Sequence, residues 1–116
     1  MTQKEDTLYL RHISEAIEQI GEYLCGVSHR QFRDTKLLQD GVIRQLEIIG
    51  EATKNLSENT RNTAPNVPWR SMAGMRDKLI HQYFGVDIEA VWSTATQDLP
   101  DIQQTITTLL DKPLLR

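Results

Sequence analysis

Residues 34–56, DTKLLQDGVIRQLEIIGEATKNL, carry the pattern that decides the fold. Leu38, Val42, Leu46, Ile49, Thr53 and Leu56 recur at gaps of four, four, three, four and three, which is one stripe of an α-helix. Asp34 or Thr35 can cap its first turn. Gly41 and Gly50 would each cost such a helix roughly 1 kcal/mol relative to Ala, so two in one helix point to close approach by another helix or chain. Upstream, Leu10, Ile13, Ile17, Ile20 and Leu24 repeat the same spacing, with Glu15, Glu18, Gln19 and Glu22 mostly off the stripe. A helix is therefore expected from Asp6 to about Gly26, followed by a short polar loop through Arg33.

Downstream, Ser57 to Pro68 (SENTRNTAPNVP) is polar and holds two prolines, which reads as a loop or broken turn. Pro68 suits the first position of a short helix beginning Trp69-Arg70-Ser71. Met72 to Phe84 follows, closed by Gly85. Asp87 can cap a further helix carrying Ile88, Val91, Trp92 and Ala95. Leu99-Pro100-Asp101 is expected to break it before a last stripe of Ile102, Ile106, Leu109 and Leu110. No apolar run alternates with period two, so no sheet is expected. The pattern predicts an all-α bundle of four to five helices in one domain over residues 1–116, with two long helices on its N-terminal side.

The chain's 116 residues are 39% apolar and only 6% aromatic, enough for a modest core that a partner's surface can supplement. Thirteen basic against sixteen acidic residues give a net charge of −3, which argues against coating nucleic acid with a broad positive face but not against a local pocket for a few nucleotides. No apolar run is long enough for a membrane span, and no basic-then-apolar stretch opens the chain as a secretory signal would. The single cysteine, Cys25, cannot form an internal disulfide or build a zinc site alone; it reads as a small buried hydrophobe, and a reducing cytosol is the expected compartment.

Chemistry concentrates in Arg76-Asp77-Lys78-Leu79-Ile80-His81-Gln82-Tyr83. On a helix Asp77 and His81 lie about 40° apart around the axis and can touch, and Arg76 and Tyr83 lie about 20° apart, two turns from each other. Arg76 and His81 are nearer 140° apart, so one ideal helix does not join them; either the helix end deviates or a second chain completes the set. The group suits transesterification of an RNA phosphodiester. Imidazole titrates in the range needed to move the 2′-hydroxyl proton. Guanidinium can bind the phosphate and stabilise transition-state charge. Tyr83 can donate to the phosphate or stack on a base, and Asp77 can orient His81. One His with one Asp falls short of a divalent-metal site, and no cofactor is called for. The plain alternative is a solvated helix face over a Leu79–Ile80 buried side. His12 reads as a stripe-boundary residue and His29 as solvated in a loop. Trp69 and Trp92 read as packing between helices. Arg44 and Glu51 line either a cleft or a dimer contact, unless they are only a surface pair.

Arg76, His81 and Tyr83 spell R-x4-H-x-Y, which resembles the signature of the HepT toxins, a branch of the HEPN ribonucleases. Arg44 to Ala52 with Lys54 to Ser57, Pro68-Trp69-Arg70, Gly74-Met75-Arg76, His81 to Asp87 and Asp98-Leu99-Pro100 also fit, so the resemblance covers about residues 5–111. It implies a HEPN-type helical bundle forming a homodimer with both motifs facing a shared cleft, and metal-independent RNA cleavage that is toxic when unrestrained. It further implies a type VII-like toxin–antitoxin pair with an MntA-type minimal nucleotidyltransferase that transfers AMP from ATP onto Tyr83. A second possibility is a non-catalytic helical subunit that binds a nucleotidyltransferase, in which His81 would be incidental.

Overall fold

The computed structural model describes residues 2–81 and 86–111, with side chains over 5–75 and 86–111. The helices are α1 (Thr2–Tyr23), α2 (His29–Asp34), α3 (Lys36–Lys54), α4 (Glu58–Thr63), α5 (Trp69–His81), α6 (Ile88–Ser93) and α7 (Leu99–Asp111), and a π-turn over Thr94–Asp98 fuses the last two into one rod. No strand occurs among the described residues. The all-α bundle is as the periodicity predicts: four long rods, α1, α3, α5 and α6 to α7, with α2 and α4 as short helices in the connections.

The two stripes become the core. Leu10, Ile13, Ile17 and Ile20 of α1 are buried, as are Val42, Leu46, Ile49 and Thr53 of α3 and Leu56 just beyond it. Burying each large aliphatic side chain contributes roughly 1.5–3 kcal/mol. Gly41 shows the close approach its position implied: a Cβ there would stand 3.2 Å from the Tyr23 ring at the end of α1. Tyr23 beside Gly41, and Asp6 beside Ser57, make α1 and α3 antiparallel.

Four local expectations are corrected. The segment after Gly26 (φ +73, a left-handed turn) is not all loop. Ser28 and Gln31 form a reciprocal capping box that nucleates α2, and Phe32 in it is fully buried. Thr35 stands at the N-cap position of α3, but its hydroxyl donates back to the Gln31 carbonyl at 2.6 Å, and Asp34 belongs to α2. The polar 57–68 stretch holds α4 because Ser57 caps it, accepting from the Thr60 N–H at 3.3 Å. Cys25 is exposed, since it lies in the turn past the last buried position of α1.

Pro100 does not break the final rod. A proline inside an α-helix lacks the N–H and crowds the carbonyl four residues back. Here the turn before it is widened, with the Leu99 N–H reaching Thr94 O rather than Ala95 O, and Pro100 falls in the first turn of α7 where its missing donor is tolerated.

The two ends of the bundle are tied differently. At one, Asp6 is buried between α1 and α4; Oδ1 accepts from the Ser57 N–H at 2.9 Å, and Oδ2 accepts from the Ser57 and Thr60 hydroxyls, each at 2.6 Å. Burial pushes the Asp6 carboxyl up, but the hydrogen bonds from Ser57 and Thr60 outweigh it, and the group sits below its ordinary value. Arg61 extends this end by donating to the Thr53 carbonyl at the close of α3. At the other end, His29 Nε2 meets Glu89 Oε1 at 2.6 Å and its ring stacks on Trp92 at 5.2 Å. His29 is exposed, as expected, but it begins α2 and links that helix to α6 rather than lying in a loop. No helix among the described residues is long and apolar enough to cross a membrane.

Candidate active site

The first half of α5 is structural. The Met72 N–H bonds the Pro68 carbonyl, and Trp69 and Met72 are buried. The Trp69 indole N–H donates to the carbonyls of Arg61 (3.0 Å) and Ala64 (2.9 Å), which satisfies its only polar atom. Trp69 packs as its sequence position implied, and Trp92 is half-buried against Phe32 and His29. These contacts fix the start of α5 at the Asp6 end. The helix lies along α3 and is joined by residues 82–87 to α6, which starts at the His29 end.

Three of the residues to which the sequence assigned chemistry fall on the second half of α5. Arg76, Asp77 and His81 lie on its helical backbone; their side chains, and the whole of Tyr83, lie outside the described residues. The register follows from the backbone. Asp77 and His81 are one turn apart on one side of α5, while Arg76 and His81 are about 140° apart around the axis and about 7.5 Å along it. Arg76 comes one turn after the buried Met72 and shares its side of the helix by register. Arg70, a basic residue near the start of α5, is exposed; Lys78 is among the residues whose side chains are outside the described set.

A groove of about 440 Å³ runs between α1 and α3, lined by Tyr9 and His12 on one wall and Arg44, Ile48, Glu51 and Asn55 on the other. A smaller one of about 240 Å³ continues it and shares His12 and Ile48. Arg44 and Glu51 thus line this α1–α3 groove. Arg44 Nη1 stands 3.5 Å from Glu47 Oε1, a long contact for an ion pair. The role of Tyr9 and His12 was not anticipated. Their rings meet edge to face, with centroids 6.0 Å apart, because positions 9 and 12 lie one turn apart beside the buried stripe. The signal available in the sequence was Ile48, an apolar residue set among polar ones on the outer face of α3. Among the described residues no group of three or more His, Cys, Asp or Glu is placed to hold a metal ion.

The family described as ribonuclease HepT-like matches residues 13–109. A probable ribonuclease HepT of Thermococcus cleftensis is 48% identical over 95 residues, covering 82% of this chain and 86% of that protein. A protein named as a candidate RNase in Caldanaerobacter subterraneus subsp. tengcongensis is 41% identical over 104 residues, covering 90% of this chain and 93% of its own length. In Methanocaldococcus jannaschii a protein named for gamma-glutamylcyclotransferase and candidate RNase activities is 42% identical over 109 residues; the match takes in 94% of this chain and 49% of that longer one. No solved structure matches the chain.

Proposed function

The chain belongs to the HepT-like ribonuclease family, and from that premise we propose that it is the toxin of a toxin–antitoxin pair, cleaving RNA without a metal through Arg76, His81 and Tyr83. The observation that carries the reading is that the R-x4-H-x-Y set falls inside the matched residues 13–109, with Arg76, Asp77 and His81 on one helix. In the reaction a 2′-hydroxyl oxygen attacks the adjacent phosphorus as its proton leaves to a base. The bond from phosphorus to the 5′-oxygen breaks as that oxygen gains a proton, leaving a 2′,3′-cyclic phosphate. His81 exchanges these protons, with the second exchange open to its counterpart in a paired chain. Arg76 holds the phosphate and its added charge. Tyr83 hydrogen-bonds or stacks on the substrate, and Asp77 orients the imidazole.

Because Arg76 and His81 diverge on α5, the working form is a homodimer in which the second copy completes the cleft. Control falls on Tyr83. A nucleotidyltransferase antitoxin of the MntA type moves AMP from ATP to the phenol oxygen and releases pyrophosphate. The anionic adduct then occupies the cleft and competes for Arg76.

The test is purified protein on labelled RNA in the presence of a chelator, wild type against Arg76→Ala and His81→Ala. Cleavage with cyclic phosphate ends, lost in both variants, supports the reading. Equal cleavage in all three identifies a contaminant and leaves a non-catalytic partner subunit of a nucleotidyltransferase. An AMP-sized mass increase on Tyr83 after exposure to ATP and the antitoxin tests the control step separately.

A further inference from the structure

Three glycines of the described fold have visible reasons or mild settings, and a fourth does not. Gly26 takes a left-handed turn, and Gly41 makes room for the Tyr23 ring. Gly21 would meet nothing within 4 Å if it carried a Cβ, but it stands in the last turn of α1, where helices fray. Gly74 lies inside α5, is exposed, and a Cβ there would also meet no described atom within 4 Å. A glycine in a helix interior lowers stability relative to Ala, so the fold itself gains nothing from Gly74. What glycine offers at such a place is close approach of the backbone to a ligand.

The line of α5 on which Gly74 falls supplies the ligand's chemistry. By register Arg70, Gly74 and His81 lie within about 40° of one another, on the side opposite the buried Trp69 and Met72. Arg70 is exposed and makes no hydrogen bond or ion pair with a described residue. It stands about 6 Å before Gly74 and about 16 Å before His81 along the axis, the reach of a few nucleotides of a single strand. With a net charge of −3, the chain can hold a polyanion only locally, where a cation stands unpaired. The α1–α3 groove is a poorer path, because Glu15, Glu47 and Glu51 outnumber Arg44 there and repel phosphate. We propose that Arg70 and Gly74 extend the RNA site along α5: the strand's backbone crosses the helix at Gly74, and Arg70 holds a phosphate flanking the one at His81. The proposal rests on the ribonuclease reading above and adds to it the path of the substrate. Arg70 gives that phosphate a permanent charge and a forked pair of donors. The missing side chain at Gly74 lets the strand stay close to the helix between the two.

The experiment measures equilibrium binding of the full chain to a labelled single strand of 2′-O-methyl ribonucleotides, whose blocked oxygens cannot attack phosphorus, alongside cleavage of the matching RNA. Binding is titrated over a range of salt for wild type, Arg70→Ala, Arg70→Lys, Gly74→Ala and Gly74→Leu. Loss of one phosphate contact in Arg70→Ala should weaken binding by about fivefold to tenfold and flatten the slope of log affinity against log salt by about 0.7. Arg70→Lys keeps the charge and should keep the slope. Both Gly74 variants should raise the thermal midpoint by a few degrees, since each is a better helix former, yet bind more weakly, Gly74→Leu by roughly tenfold or more. A glycine with only a structural part would not move stability and affinity in opposite directions. An unchanged slope in Arg70→Ala, or unchanged affinity in Gly74→Leu, overturns the proposal while wild-type cleavage leaves the ribonuclease reading standing. A loss of affinity in Gly74→Leu that comes with altered sedimentation would set another protein chain against Gly74 and overturn it too. A wild type that leaves RNA uncut overturns the ribonuclease reading, and one that also fails to bind the blocked strand overturns both.

Discussion

The two ends of the bundle are each held by a carboxylate with a contact of 2.6 Å, Asp6 at one and Glu89 at the other. Asp6 is buried and accepts three hydrogen bonds from the entry to α4, and the adjacent Trp69 closes that end with both indole bonds made inside the fold. Glu89 and His29 stay about half exposed, at 56% and 44%, where water and salt screen the pair. Equal distances therefore stand for unequal energies. The backbone of α5 runs from the sealed end toward the open one, so stability is invested at its start and the candidate chemistry at its finish. Regions that must admit a substrate are commonly drawn from the less stable part of a fold.

This contrast can be broken from either side. The largest effect is expected at the open end and in activity alone. Arg76→Ala or His81→Ala should lower RNA cleavage by about 100-fold to 10,000-fold while leaving the thermal midpoint near wild type, measured by labelled-RNA turnover and calorimetry. A large fall in midpoint with either would mean that the finish of α5 is structural after all. At the sealed end Trp69→Ala should cost about 3–5 kcal/mol in denaturant unfolding, because it leaves a cavity and removes the donor to two carbonyls. Asp6→Ala should cost about 1–3 kcal/mol, since the Ser57 and Thr60 groups lose a charged acceptor. The Asp6 carboxyl is lowered in the fold, so its stabilisation is complete above the unfolded value of about 3.9 and is lost as pH falls through the lower folded value. The difference in stability between wild type and Asp6→Ala should accordingly narrow below about pH 4. The smallest effect belongs to His29→Ala, about 1 kcal/mol or less and reduced further by salt; a loss matching that of Asp6 would erase the distinction between the ends.

Much of this was legible from residue order. The stripes at 10–24 and 38–56 named the core of α1 and α3 almost residue by residue, because a period of 3.6 leaves few other ways to bury those side chains. The short helices were not. α2 and α4 depend on Ser28 with Gln31, and on Ser57 with Asp6 from 51 residues away; a single cap is a weak local signal, and the Asp6 contact exists only once α1 and α3 are antiparallel. His29 was misplaced for the same reason, since its partners Glu89 and Trp92 lie 60 and 63 positions downstream. The motif on α5 was readable as spacing, and the backbone bears out Arg76, Asp77 and His81 as one helical set. The α1–α3 groove was only half visible: Arg44 and Glu51 stood out by charge, but Tyr9 and His12 join them through helix packing that no local pattern encodes.

The widened turn at Thr94–Asp98 has a bearing on how this rod can change over generations. A π-turn amounts to one residue added to an α-helix, and removing a residue there would restore ordinary pitch. With Pro100 in place that deletion would press the pyrrolidine ring on a carbonyl of the preceding turn, at a cost of about 3 kcal/mol. The insertion and the proline therefore entrench each other: a lineage could shed the extra residue only after exchanging the proline, so the order of the two mutations is constrained although neither touches the motif.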